Sequence, residues 1–232
     1  MAKRKNSDDF NSIFFLIVAT FVSILFWILP LTGFLLYPFR LFVTFIHEGG
    51  HALAAILTNG TVDQILVYAN ASGETYSRGG QTLVIASAGY LTSCAYGALL
   101  LAISRQGRFS ERMLILNSVV IALIAVVLSD DTFTMMIGIG LCVGLIIAAH
   151  SRPFLSHFLL NFLAVQCCIN AILDLLTLIR VSGSASVHSD ALILEKLTRV
   201  PSLLWAFTWA VISGLFLLGG LLIYSRGGTV RK

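Results

Sequence analysis

The sequence has very little charge. Only 11% of its 232 residues are Asp, Glu, Lys or Arg, whereas soluble domains carry about 25%. Prolines and cysteines are also few, at four each, and no two cysteines have the Cys-x-x-Cys spacing of a redox or metal motif. Hydrophobic residues make up 57% of the chain, which is more apolar surface than a globule of this size can bury in its own core. The composition excludes a soluble domain and predicts a polytopic membrane protein.

The small excess of positive charge, a formal +4, also bears on partners. The basic residues stand at the ends of apolar runs, a placement that suits phospholipid headgroups. Nucleic-acid binding needs cations clustered on one soluble face, so we expect contact with the lipid bilayer and no nucleic-acid partner. Seven Lys and Arg on one predicted side against eight on the other leave the orientation in the membrane undecided.

Seven apolar runs are close to the length that a membrane-spanning helix needs, roughly 17–25 residues. They cover about 13–37, 41–57, 81–103, 113–128, 133–150, 154–179 and 201–224. Pro38, Pro153 and Pro201 stand at predicted boundaries, and Pro30 predicts a kink in the first span. The sequence thus predicts an all-α polytopic membrane protein of about seven transmembrane helices. A polar tail, 1–12, precedes a single membrane-embedded domain, 13–225, and a basic tail, 226–232, follows it.

Two connections between the predicted spans are longer than turns. In 61–78, β-branched and aromatic residues stand on both sides of an Asn-Ala-Ser-Gly turn, which predicts a small membrane-associated β-hairpin after the second span. The later connection, 181–200, is first rich in Ser and Gly and then amphipathic. Its second half, 190–199, is therefore predicted to form a short surface helix.

The second span carries His47-Glu48-Gly49-Gly50-His51. Residues four apart lie on one face of a helix, so both imidazoles can bind one zinc ion while Glu48 reaches the water on that metal. Zinc lowers the pKa of its water towards 7, and Glu48 can take the proton as the water attacks a carbonyl carbon. Three ionisable side chains at membrane depth are costly unless they are paired or bind a metal. This pattern favours a catalytic zinc site over hydrogen-bonded core histidines.

A catalytic zinc site needs a third protein ligand. Asp174 is the other acidic residue well inside an apolar run. It lies about 8 Å from the end of its span and His51 about 9 Å from the end of its own, at 1.5 Å per residue. In the seven-span count the two helices run the same way, so both residues lie near the same membrane face. We therefore predict Asp174 as the third ligand, with a paired structural carboxylate as the alternative. Asn170, one turn earlier, is predicted to hydrogen-bond a ligand, water or substrate. Asp190 falls in the last long connection, where no spacing indicates catalysis.

Two other classes of function stay open at this point. A transporter or channel also places His, Glu and Asp side chains along an ion pathway inside the membrane. A pseudoprotease keeps the fold in order to bind membrane clients without cleaving them. The sequence alone does not separate these hypotheses from a protease.

The ordered set of motifs resembles the site-2-protease-like intramembrane zinc metallopeptidases, in the B-like branch of peptidase family M-fifty. The likeness covers about 39–224. It comprises the His-Glu motif, segments 73–80 and 87–93, the pair Asn170 and Asp174, and a tail with Ser189-Asp190-Ala191, Pro201, Trp205 and Trp209.

The resemblance implies a catalytic core of three helices, of which the second carries a Gly-x-x-x-small motif, here Gly89 to Ser93, near the substrate. It also implies a hairpin edge that receives the substrate, a transmembrane segment of another protein. The expected activity is hydrolysis of a peptide bond in or near that segment, with zinc as cofactor. The better-known members have Leu-Asp-Gly where this chain has Leu173, Asp174 and Leu175.

Overall fold

The computed structural model describes residues 2–29, 33–181 and 189–226, with side chains described at 13–26, 28–29, 33–169 and 189–225. The elements, in chain order, are α1 (Ala2–Ile28), α2 (Gly33–Leu57), β1 (Thr61–Val67), β2 (Gly73–Arg78), α3 (Thr82–Ser104), α4 (Ser110–Val127), α5 (Thr132–Ala149), α6 (Pro153–Val181), α7 (Asp190–Thr198) and α8 (Ser202–Arg226). A short 3-10 helix, Gly107–Phe109, precedes α4. The predicted helical fold, the hairpin and the short helix before the last span are confirmed.

Within the described residues, four helices are long and apolar enough to cross a membrane. They are Thr82–Ser104, Gly107–Val127, Thr132–Ala149 and Ser202–Ser225. The apolar stretches Ile13–Phe26 and Pro153–Ile169 are also helical but shorter. The fold is thus that of a helical membrane protein, and the four helices correspond to four of the seven predicted spans.

The boundary between the first two predicted spans differs from the prediction. We expected the first span to continue to Tyr37 and to end before Pro38, but α1 ends at Ile28 and α2 begins at Gly33, so Pro38 lies inside α2. Proline removes one backbone hydrogen bond from a helix, and here that loss does not end α2. Pro30, where we predicted a kink, lies outside the described residues.

Helix α3 has a central position, since it packs against α2, α6 and α8. It runs antiparallel to α6. Ser104 near the end of α3 donates to Asn161 of α6 at 3.0 Å, and the carbonyl of Cys94, ten residues earlier, lies 4.0 Å from the Cys168 thiol, seven residues further along α6. These contacts fix the relative heights of residues on the two helices.

The hairpin is attached to the bundle along β1. The Ile65 amide donates to the Leu128 carbonyl at 2.6 Å, and the Val67 amide donates to the Thr134 hydroxyl at 2.9 Å. Thr134 lies in the first turn of α5, whose N-cap, Asp131, accepts from the Thr134 amide at 2.8 Å. One edge of β1 thus pairs with β2 and the other is held by the α4–α5 connection.

Candidate metal centre

His47 and His51 lie one turn apart on the face of α2 that packs against α3. Their ring centroids are 4.7 Å apart and the rings are nearly perpendicular, at 77°. His51 is buried and His47 is half-buried. The helical spacing therefore brings the two imidazoles together, as the sequence predicts.

The proton on His51 is fixed by its backbone partner. Nδ1 of His51 lies 2.6 Å from the Ile85 carbonyl oxygen at the start of α3. A carbonyl oxygen only accepts, so Nδ1 donates and Nε2 is left facing Asp190. Nε2 donates to that carboxylate when the ring is protonated, and it offers a lone pair to a metal when the ring is neutral. Metal-binding histidines are oriented in the same way, with the second nitrogen donating to a carbonyl or carboxylate.

Asp190, the first residue of α7, completes a group of three. Its Oδ2 lies 3.3 Å from Nε2 of His47 and 3.4 Å from Nε2 of His51, and the three candidate ligand atoms all lie within 4.8 Å of one another. Burial alone would raise the pKa of the Asp190 carboxyl, but its hydrogen bonds to His47 and His51 outweigh burial and hold that pKa below its usual range.

The two distances from Asp190 fit a metal ion between the three side chains. Zinc binds nitrogen and oxygen at about 2.0–2.2 Å in tetrahedral geometry, which sets neighbouring ligand atoms about 3.3–3.5 Å apart. The distances from Asp190 Oδ2 to the two Nε2 atoms, 3.3 and 3.4 Å, match that spacing. Two imidazoles and one carboxylate also form a donor set typical of catalytic zinc sites, which leave the fourth position open.

Helix α7 is held in place at both ends, which fixes Asp190. At its start, Ser189 caps the helix by accepting from the Leu192 amide at 3.3 Å. At its end, the Trp205 indole donates to the Thr198 hydroxyl at 3.1 Å, and the Glu195 carboxylate accepts from the Ser202 amide at 2.8 Å. A small cluster below α7 buries Ala191 and Leu194 with Ala86 of α3 and Trp209 of α8.

An aromatic wall supports His47 from the side of α3 and α8. The Tyr90 ring meets the His47 ring edge to face at a centroid distance of 4.7 Å, and the Trp209 ring stacks on Tyr90 at 5.1 Å. Two aromatic contacts in series restrict the rotation of His47, so the imidazole is pre-oriented.

Gly89 lies directly against the candidate metal centre. A Cβ atom at this position would be 2.5 Å from Nε2 of His51 and in still closer contact with Nε2 of His47. Only glycine leaves the space between the two imidazoles and α3 open. Ser93, one turn further along α3, is buried, and its hydroxyl has no hydrogen-bond partner among the described residues.

Glu48 is buried on the side of α2 that faces the hairpin. Its Oε2 accepts from the Thr75 hydroxyl of β2 at 2.7 Å. The predicted base therefore lies between the two histidines in sequence and against the hairpin in space.

Asp174 and Asn170, the third predicted ligand and its neighbour, belong to α6, but their side chains lie outside the described residues. Their roles stay predictions. The contact between Cys94 and Cys168 indicates where position 174 lies along the axis of the bundle. Gly89 is five residues before Cys94 on α3, and Asp174 is six residues after Cys168 on the antiparallel α6. Continuing the alignment of the two helices brings position 174 level with Gly89.

Sequence reasoning missed Asp190. No pattern in the sequence indicated that Asp190, in the final connection, contacts the histidines of the second span. That contact depends on how α7 docks on α3 and α8. One signal was available: Asp190 is preceded by a serine and opens an amphipathic helix, so it lies at a defined N-terminus rather than in a loop.

The family model described as Peptidase M50B-like matches residues 16–220. The chain belongs to this family. The match covers most of α1 to α8 and includes His47, Glu48, His51, Asp174 and Asp190. No curated protein and no solved structure matches the chain. Membership confirms the resemblance to the site-2-protease-like peptidases, so the chain is a membrane metallopeptidase by family, and the group of His47, His51 and Asp190 is its candidate metal site.

Proposed function

We propose that this M50B-like chain is an intramembrane zinc metallopeptidase that hydrolyses a peptide bond in or near a transmembrane segment of another membrane protein. The observation that carries the proposal is the group of His47, His51 and Asp190 with Glu48 beside it on the same helix. A protein of this family has the fold for that reaction, and this chain retains the ionisable groups that the reaction requires.

The metal would be held by His47, His51 and one carboxylate. The distances to Asp190 support this residue as the third ligand, and the height of position 174 on α6 keeps Asp174 as the alternative that the sequence indicates. When bound, zinc would polarise the scissile carbonyl group and acidify water. Asp190 lies against both imidazoles, which fits the requirement that a carboxylate withdrawn from water be paired or bind a metal.

Glu48 would act as the general base and then as the general acid. It accepts the proton of the attacking water and returns it to the amine that leaves. Burial excludes bulk water from Glu48, so bulk water does not compete with the carboxylate for that proton.

The free edge of the hairpin is the proposed docking site for the substrate. Since the Ile65 and Val67 amides point away from β2, their partners Thr75 and Gly73 must point their own amides away from β1. Among the described strands, only β1 pairs with β2. An unwound segment can therefore add as a strand at Gly73 and Thr75, which satisfies its backbone groups while exposing one peptide bond.

The proposed membrane arrangement has seven crossings, formed by α1–α6 and α8, with α7 and the hairpin near the face that carries the metal centre. The partners are the lipid bilayer and a transmembrane protein substrate. Membrane depth limits the water that reaches the site and makes an unwound transmembrane segment the natural substrate.

Glu48→Gln tests the function. Wild type and the variant are reconstituted in liposomes with a tagged single-span reporter whose transmembrane segment has two central glycines, and the fragments and zinc content are measured. The variant is expected to keep its zinc and lose cleavage. Cleavage by Glu48→Gln would refute the base assignment. Ion flux in place of fragments would support a transporter, and reporter binding without fragments in either protein would support a pseudoprotease.

A further inference from the structure

The carboxylate of Glu48 rests on the inner face of β2. Thr75 donates its hydroxyl to Oε2 at 2.7 Å, and the same hydroxyl lies 3.1 Å from the Glu48 carbonyl oxygen. One hydroxyl has one proton, so the shorter, charge-assisted contact to the carboxylate is the stronger bond. Among the described residues, this is the hydrogen bond that fixes the end of the Glu48 side chain.

Gly73 supplies the space for that carboxylate. A Cβ atom at Gly73 would be 2.7 Å from both Cγ and Oε1 of Glu48, and 2.8 Å from the Thr44 methyl group. Side chains two apart on a strand share a face, so Gly73 and Thr75 form one surface against Glu48. Oε2 is held by Thr75, while Oε1 lies over Gly73 with no described donor. Among the described contacts, Oε1 is therefore the oxygen of Glu48 that accepts no hydrogen bond, and it is the one we assign to the proton.

A second threonine attaches the hairpin to the same helix. Thr44, one turn before Glu48 on α2, donates to the Ala71 carbonyl in the hairpin turn at 2.7 Å. The hairpin is thus joined to α2 at two hydroxyl groups. Only one of these, on Thr75, contacts the base, so docking of the hairpin and orientation of the base can be separated by mutation.

We propose that Thr75 is a positioning residue for Glu48. Its hydroxyl holds Oε2, which leaves Oε1 to accept the proton of the reacting water. Gly73, which has no side chain, leaves the space that the carboxylate occupies. The inference rests on the proposed function. Gly73 and Thr75 also present their amides at the free edge of β2. The same two residues therefore contact the base and form the edge that receives the substrate.

The first test compares the kinetics of four variants on the liposome reporter described above. Thr75→Val removes the hydroxyl and is expected to lower kcat by about tenfold to a hundredfold, since misplacing a catalytic group costs up to about 10²-fold. KM and zinc content should be unchanged, and Thr75→Ser should restore kcat. Ser77→Ala removes a hydroxyl from the same face of β2 without touching Glu48 and should keep kcat.

Thr44→Val separates orientation from docking. It loosens the hairpin turn but leaves the contact between Thr75 and Glu48. Its expected effect is a higher KM with kcat nearly unchanged. Equal losses of kcat in Thr44→Val and Thr75→Val would overturn the positioning role and assign Thr75 to hairpin docking. A normal kcat in Thr75→Val, with Glu48→Gln inactive, would overturn the inference while leaving the proposed function intact.

The second test needs no substrate. The infrared carboxylate band of Glu48 is isolated as the difference between wild type and Glu48→Gln. A carboxylate that loses a hydroxyl donor changes its stretching frequency, so Thr75→Val should shift this band, whereas Thr75→Ser and Ser77→Ala should not. An unshifted band in Thr75→Val would refute the inference regardless of any activity.

Discussion

Oδ2 of Asp190 lies 3.3 Å from Nε2 of His47, although the two residues are 143 positions apart in the chain. The contact joins the second helix to the short helix α7, which itself rests on α3 and α8. The candidate metal centre is therefore assembled from both ends of the domain. Its geometry depends on the docking of α7 as much as on the motif in α2.

The contact predicts which carboxylate binds the metal. Asp190→Asn should weaken zinc binding by more than about 100-fold, because even loss of an outer residue that supports a ligand costs about 10–100-fold. Asp174→Asn is the matched variant, and both are compared with wild type by competition with a fluorescent chelator. Tight zinc binding by Asp190→Asn and loss by Asp174→Asn would assign the third ligand to Asp174 instead.

Gly89→Ala should remove the metal without unfolding the bundle. The new methyl group would contact Nε2 of both His47 and His51 and displace them from their ligand positions. Gly144→Ala on α5 is the control, since a Cβ atom there meets nothing within 4 Å. We expect Gly89→Ala to hold less than about a tenth of the wild-type zinc, because displaced ligands bind the metal more weakly. Gly144→Ala should hold as much zinc as wild type. Full zinc in both would show that the approach of α3 does not shape the site.

Asp131 should give the protein a pH-dependent contribution to stability. The amide and hydroxyl of Thr134 hold the pKa of the Asp131 carboxyl below its usual value. A carboxyl whose pKa is lowered by folding stabilises the fold above its unfolded pKa, about 3.9, and loses that effect as the pH falls through the lower folded value. At pH 7, Asp131→Ala should lower Tm by roughly 2–4 °C.

The difference in Tm between wild type and Asp131→Ala should shrink as the pH approaches 3. Asp130→Ala, which removes the exposed neighbour, should leave Tm nearly unchanged at both pH values. A constant difference from pH 7 to pH 3 would contradict a role for the ionised carboxylate. The measurement is thermal unfolding in detergent, followed by tryptophan fluorescence.

Local patterns in the sequence predicted the parts of the fold that local physics determines. Apolar runs predicted α3, α4, α5 and α8, and alternation around a turn predicted the hairpin. The break between α1 and α2 was misplaced because Pro38 was given more weight than it has inside a long apolar helix. A proline marks a probable boundary, and the surrounding helix decides whether it becomes one.

The candidate site was predicted to a similar degree. His47 and His51 share a face because helical periodicity requires it, so their pairing needed no tertiary information. The contact between Glu48 and Thr75 and the arrival of Asp190 could not be predicted, because they depend on how separate elements pack. Gly89 was expected near the substrate from the resemblance, and its contact with both imidazoles gives the physical reason for a glycine there.

The amount of zinc per chain tests the central claim most directly. Wild type, His47→Ala and His51→Ala are purified under identical conditions without added metal, and the zinc in each is measured by mass spectrometry. The account predicts about one zinc per wild-type chain, in keeping with a single three-ligand site, and little in either variant, because each lacks one of the two imidazoles that α2 places together. Equal zinc in all three proteins, or none in wild type after loading with zinc, would contradict it.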